Sequence, residues 1–179
     1  MSTIRVFSTA DALETDFIAI RRLLDRAFDG DFSAQDWEHA LGGWHVVVVV
    51  ADAGVALAHA AVVPRTLRVA DRSMRAGYVE AVGTLPERQR GGLGSLAMAE
   101  VSTLLHNEFE IGALSTGAHE FYARFGWERW QGPTFVRRGS DLARTEDDDD
   151  GVMVLRFGAS RDIDLTAQLS CEERPGDDW

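Results

Sequence analysis

Apolar residues in this chain alternate between strand-like runs and helical spacings, with polar and glycine punctuation between them. Ile4 to Ser8 reads as a short strand. From Leu13 to Phe28 the apolar positions Leu13, Phe17, Ile20, Leu24, Ala27 and Phe28 recur at the spacing of an amphipathic helix. Gly30-Asp31-Phe32 breaks it. Ser33, with Asp36 after it, resembles a capping box and predicts a second helix over Ala34 to Leu41, which Gly42-Gly43 ends. Trp44 to Ala51 is a nearly unbroken valine run, as in a strand covered on both faces.

Asp52-Ala53-Gly54 predicts a tight turn into a strand from Val55 to Val63. Pro64 predicts a change of direction, and Thr66 to Ala70 and Met74 to Gly83 then complete a four-strand antiparallel meander. Helices are expected over Ser95 to Phe109 and over Ala118 to Phe125, the second stopped by Gly126. A strand, Ile111 to Leu114, separates them. Phe135 to Arg137, Val152 to Phe157 and Leu165 to Cys171 read as further strands. With no repeat and no linker, residues 1–179 are expected to form a single α+β domain.

Composition narrows the partners. The formal net charge of −11 argues against nucleic acid and against an anionic membrane. Acidic clusters at Glu146-Asp147-Asp148-Asp149-Asp150, at Glu172-Glu173 and at Asp177-Asp178 suit a cationic small molecule. The start, Met1-Ser2-Thr3-Ile4-Arg5-Val6, lacks the basic-then-apolar layout of a signal peptide, and no apolar run reaches membrane-spanning length. A cytoplasmic location is therefore expected. Cys171 is the single cysteine, which excludes an intramolecular disulfide, and the histidines show no metal spacing. No metal is expected.

The most specific motif is Gln89-Arg90-Gly91-Gly92-Leu93-Gly94-Ser95, a Gln-x-x-Gly-x-Gly loop between a strand and a helix. Bare glycines let several backbone N–H groups face one anion at a helix N-terminus. It lacks the Gly-Lys-Ser/Thr ending of a Walker loop. Gly92-Leu93-Gly94-Ser95-Leu96-Ala97 formally fits a dinucleotide fingerprint, but the polar turn Pro86 to Arg90 separates it from its strand. A pyrophosphate held by a different fold is the remaining reading.

Other residues are ambiguous by themselves. Glu80 is a lone carboxylate in the apolar strand Tyr78-Val79-Glu80-Ala81-Val82, as consistent with a solvated sheet face as with a base. Tyr122 alone reads as a core aromatic, Asp36 as a helix-start carboxylate, Asp149 as part of a solvated turn.

Element order, glycine loop and the downstream segment Phe121-Tyr122-Ala123-Arg124-Phe125-Gly126-Trp127 together resemble the GNAT family of acyl-CoA-dependent N-acyltransferases. The resemblance implies a mixed, mostly antiparallel central sheet flanked by helices and splayed where acyl-CoA binds. It implies that Gln89, Arg90, Gly91, Gly92, Leu93, Gly94 and Ser95 hold the pyrophosphate of coenzyme A. Val82, Gly83 and Thr84 would meet the thioester and pantetheine through backbone groups, with a bulge at Gly83. Glu80 would be the base, acting through water, and Tyr122 the acid.

Further segments are similar to the actinobacterial aminoglycoside 2′-N-acetyltransferases: Gly30-Asp31-Phe32, Asp36-Trp37-Glu38-His39, Gly77-Tyr78-Val79-Glu80, Gly112-Ala113-Leu114-Ser115 and Gly176-Asp177-Asp178-Trp179. That group has glycine where this chain has Ala81, and a longer helix-loop before the tyrosine. The similarity implies direct acetyl transfer in a ternary complex, from acetyl-CoA to the 2′-amine of an aminoglycoside, by a homodimer. Asp31, Asp36, Glu80, Ala81, Ser115, Asp149, Asp177 and Trp179 would contact the acceptor. Two alternatives stay open: a GNAT acting on another cationic amine such as a polyamine, and a non-catalytic acyl-CoA sensor. Intact Glu80 and Tyr122 argue against the second.

Overall fold

The computed structural model describes residues 2–50 and 54–179, so the expected turn at Asp52-Ala53 and strand end at Ala51 lie outside the described residues. The chain divides into two compact units, Met1–Val63 with Val79–Thr103, and Pro64–Tyr78 with Leu104–Trp179. Among the described residues, no helix is long and apolar enough to cross a membrane.

In the first unit, β1 (Ser2–Ser8) pairs antiparallel with β2 (Trp44–Val50), Ser8 opposite Trp44 and Ser2 opposite Val50. β2 pairs antiparallel with β3 (Ala56–Val69), Trp44 opposite Val62. Val46, Val47, Val48 and Val49 are all buried, as the valine run predicts. Gly43 leads into β2 because a Cβ there would stand 2.0 Å from the Val62 carbonyl oxygen.

Helix α1 (Glu14–Ala27) buries Ile20, Leu23 and Leu24 in a core with Val47, Val49, Leu57 and Leu85. Each such side chain contributes about 1.5–3 kcal/mol on leaving water. The Asp16 carboxylate starts the helix by accepting from the Leu13 N–H at 3.1 Å, and left-handed Asp29 and Gly30 follow its end. Helix α2 (Ala34–His39) has the expected capping box: Ser33 N–H donates to Asp36 Oδ2 at 2.8 Å, and Asp36 N–H to Ser33 Oγ at 3.0 Å.

Strand β4 (Arg72–Thr84) follows β3 after a turn at Ala70 and Asp71, and helix α3 is Leu93–Glu108. The second unit contains β5 (Ile111–Ser115), α4 (His119–Ala123), β6 (Glu128–Arg129), β7 (Thr134–Arg138), β8 (Asp141–Arg144), β9 (Val152–Arg156) and β10 (Leu169–Glu172). Its strand order is β6-β9-β5-β4-β3-β10-β7-β8. β4 and β5 run parallel, Ala76 opposite Ile111 and Tyr78 opposite Ala113; β10 and β7 are also parallel. β5–β9, β6–β9, β7–β8 and β3–β10 are antiparallel, so the sheet is mixed and mostly antiparallel as expected. Leu67, Met74, Ile111, Val154, Leu169 and Cys171 are among the residues of its core.

Pro64 does not change the chain's direction. β3 runs through it to Val69, so the meander β2-β3-β4 has three strands rather than four. Proline removes one ladder donor but tolerates extended backbone. Upstream of it Ala56 to Val62 are all buried; from Pro64 onward the strand alternates, Arg65, Leu67 and Val69 buried while Pro64, Thr66 and Arg68 are exposed. β6 and β8 had no apolar signature to announce them, and β10 starts at Leu169 rather than Leu165.

Candidate active site

The loop after β4 makes a short 3-10 turn at Pro86–Arg88, then takes left-handed backbone at Arg90 (φ 62°) and Gly92 (φ 80°). α3 begins at Leu93, two positions before the expected start, so Leu93, Gly94 and Ser95 form its first turn. Leu96 N–H bonds the Gly92 carbonyl at 3.0 Å, so the N–H groups of Leu93, Gly94 and Ser95 precede the helical ladder at the positive end of the dipole. A cleft of about 490 Å³ opens there, lined by Glu87, Arg88, Gln89, Gly91 and Leu93 with Ser2, Val50 and Leu57. Gln89 Nε2 reaches back toward the Thr84 carbonyl at 3.4 Å.

Glu80 is half-buried in β4, as are Ala81, Val82 and Thr84. The left-handed residue of this strand is Ala81, φ 49°, two residues upstream of Gly83. Gly83 answers a different need: a Cβ there would stand 3.0 Å from Leu24 Cδ2 and 3.1 Å from Ala27 Cβ, so it lets β4 approach α1. Alanine in left-handed backbone costs about 1–2 kcal/mol relative to an ordinary conformation. The Ala81 carbonyl accepts from His59 Nδ1 at 2.8 Å. Asp31 is exposed just beyond α1, and Asp36 is half-buried with one carboxylate oxygen engaged in the cap.

The second unit holds Tyr122, buried on α4 with its ring edge-on to Phe121 and Trp127 at 5.0 and 6.2 Å. Burial pushes its phenol up to about 12, so it keeps its proton at neutral pH. Ser115 is exposed at the end of β5, and a Cβ on Gly151 would stand 2.7 Å from Ser115 Oγ.

Asp149 is committed to its own chain. Both its oxygens bind Arg144, and Oδ1 also accepts from Thr134 N–H at 2.9 Å and Thr134 Oγ1 at 2.8 Å. The Arg144 hydrogen bonds hold its carboxyl down at about 2. Its neighbour Asp148 is the opposite case. Burial, then the charges of Asp177, Asp178 and Asp147, push its carboxyl above the usual range. A run of four aspartates carries no internal mark that separates these two environments.

Asp177 is exposed, whereas Trp179 is buried and donates from Nε1 to Thr145 Oγ1 at 3.1 Å. Its indole belongs to the core of the unit rather than to an open face. The Asp178 carbonyl accepts from Arg65 Nη1 at 2.6 Å and from Cys171 Sγ at 3.3 Å, and its carboxylate pairs with Arg138 at 3.1 Å. Cys171 is buried, and burial pushes its thiol up to about 11. Among the described residues, no cluster of three or more His, Cys, Asp or Glu side chains is arranged to hold a metal ion.

A family described as acetyltransferase (GNAT) domain matches residues 9–130. The aminoglycoside 2′-N-acetyltransferase of Mycolicibacterium fortuitum is 40% identical over 183 aligned positions, covering 100% of this chain and 93% of that one. The crystal structure of the GNAT-family N-acetyltransferase YhbS from Escherichia coli, in complex with CoA, superimposes with a TM-score of 0.69 at 19% identity, over 98% of this chain and 93% of that one. A GCN5-related N-acetyltransferase from Kribbella flavida gives a TM-score of 0.60 at 25% identity over 74% of this chain. This chain spans about a third of the Kribbella protein, 34% of its length.

Proposed function

This chain belongs to the GNAT acetyltransferase family, and from that premise we propose that it transfers an acetyl group from acetyl-CoA to the 2′-amine of an aminoglycoside, as a single GNAT domain. The observation that carries the reading is the loop Gln89–Ser95, whose left-handed Arg90 and Gly92 open onto the N-terminus of α3 beside a cleft. That is a seat for a pyrophosphate. The full-length similarity to an aminoglycoside 2′-N-acetyltransferase supports the acceptor.

The amine nitrogen attacks the thioester carbonyl carbon; a C–N bond forms and the C–S bond breaks, giving an amide and the thiol of coenzyme A. Glu80 takes the proton lost by nitrogen through a bound water, and Tyr122 gives its phenolic proton to the departing sulfur. Backbone groups of Val82, Gly83 and Thr84 take the carbonyl and the pantetheine arm. The same similarity supports Asp31, Asp36, Ala81, Ser115 and Asp177 as groups offered to the acceptor. The reading includes a cytoplasmic homodimer, which light scattering of the purified protein checks.

The deciding experiment is acetyl-CoA turnover with an aminoglycoside bearing a 2′-amine and with one bearing a 2′-hydroxyl. The first should release thiol and the second should not. Equal turnover of both would assign the enzyme to another amine. Acetyl-CoA binding with no thiol release from any amine would make it an acyl-CoA sensor.

A further inference from the structure

Four hydrogen bonds in the first unit form a single file. Gly42 N–H donates to Thr9 Oγ1 at 3.0 Å, and Thr9 Oγ1 meets His45 Nε2 at 3.0 Å. His45 Nδ1 meets His59 Nε2 at 3.0 Å, and His59 Nδ1 meets the Ala81 carbonyl at 2.8 Å. Both imidazoles are fully buried.

The direction of every bond follows from the last one. A carbonyl oxygen only accepts, so His59 Nδ1 carries the hydrogen. In a neutral ring His59 Nε2 is then bare and accepts from His45 Nδ1–H. His45 Nε2 is bare in turn and accepts the Thr9 hydroxyl, whose oxygen accepts Gly42 N–H. With both rings neutral, no other assignment makes all four bonds. Burial keeps them neutral, lowering His45 to about 4 and His59 to about 3. The charge that acts against burial at His45 is Asp16 of α1, itself paired with Arg5 of β1; Phe7 stacks on the ring at 5.7 Å and Phe17 meets it edge-on at 5.9 Å.

The file ends at the one residue of β4 with left-handed backbone, next to Glu80. In a trans peptide, carbonyl and N–H point in opposite directions. The hydrogen bond that draws the Ala81 carbonyl toward His59 therefore turns the Val82 N–H away from it. We propose that Thr9, His45 and His59 are positioning residues: they pin the Ala81–Val82 peptide, hold the left-handed turn that alanine disfavours, and so aim both the Glu80 side chain and the Val82 N–H. The inference rests on the assignment of Glu80 and Val82 to acetyl transfer, and it adds a tautomer requirement that stands independently of activity.

Two measurements test it. Nitrogen-15 histidine spectra of the wild-type protein should show His45 and His59 as neutral Nδ1–H rings from pH 5 to pH 8. An Nε2–H signal from His59 would overturn the file whatever the enzyme acetylates. In kinetics, His59→Leu should lower kcat on the order of tenfold to a hundredfold, the range expected of a small misplacement of reacting groups. The KM for acetyl-CoA should move little, and His59→Asn, which keeps a donor near the Nδ1 position, should recover most of the loss. Glycine adopts left-handed backbone without strain, so in an Ala81→Gly background the fall caused by His59→Leu should shrink. A folded His59→Leu protein with unchanged kcat, or an equal fall in both backgrounds, sinks the proposal. If His59→Leu does not fold, the wild-type spectra still decide. If the wild type acetylates no amine, the functional reading fails while the tautomers remain readable.

Discussion

Arg65 Nη1 and the carbonyl of Asp178 lie 2.6 Å apart, a bond from a buried guanidinium in β3 to a residue 113 positions later in the chain. Together with the indole of Trp179 in the core, it makes the last residues structural. Trp179→Ala should cost about 3–5 kcal/mol, as large aromatic truncations in cores do, and should lower the thermal midpoint. Exposed Asp177 is the cleaner probe of the acceptor. Asp177→Asn should leave the midpoint alone and raise the KM for an aminoglycoside several-fold, an effect that shrinks in high salt. Equal KM values at low salt would remove Asp177 from the site.

Asp149 and Arg144 predict an acid limit to stability. The folded carboxyl titrates near 2 instead of 3.8, so the ion pair stabilises fully above the unfolded value and is lost as pH falls from about 3.8 toward 2. Denaturant midpoints measured from pH 5 down to pH 2 should fall for the wild type and flatten for Asp149→Asn. Parallel curves would show that Asp149 does not govern this window.

Gly92→Glu puts a side chain with negative charge on left-handed backbone at the mouth of α3, where a Cβ itself meets no atom within 4 Å. The charge, more than the bulk, should repel a pyrophosphate. Calorimetry should find acetyl-CoA binding lost while circular dichroism is unchanged. Retained affinity would move the cofactor elsewhere.

Glu80→Gln should reduce turnover by roughly 10²–10⁴-fold, the span of general-base effects. Tyr122→Phe should slow release of the thiol while acetyl-CoA still binds. Because burial raises the Tyr122 phenol to about 12, its ionisation should not curtail activity anywhere below pH 10. A basic limb below that pH which disappears in Tyr122→Phe would show that the phenol titrates lower than its burial implies.

Much of the framework was legible in local pattern. The valine run of β2, the stripe of α1 and the Ser33–Asp36 cap are set by neighbours along the chain, and each forms where its pattern indicates. Pro64 is no guide to the strand's end because one missing ladder donor is a small loss in a strand that is buried before it and alternates after it. The left-handed backbone at Ala81 was invisible for a different reason. Alanine gives no hint of positive φ, and the group that pins it, His59, lies 22 positions away. Asp149 and Trp179 were read as groups open to a ligand, and their partners Arg144, Thr134 and Thr145 show up only when β7, β8 and the acidic turn come together.

The state of Cys171 has a practical consequence for every assay named above. The protein's single thiol is buried, protonated at neutral pH and hydrogen-bonded to a main-chain oxygen. A disulfide reagent that turns coloured on meeting a thiolate will therefore record liberated coenzyme A against a silent protein background. The same shielding withholds any cysteine able to carry the acetyl group between substrates. Initial-rate lines at varied acetyl-CoA and fixed amine concentrations should accordingly intersect rather than run parallel, the mark of a reaction that waits for both partners before either product leaves.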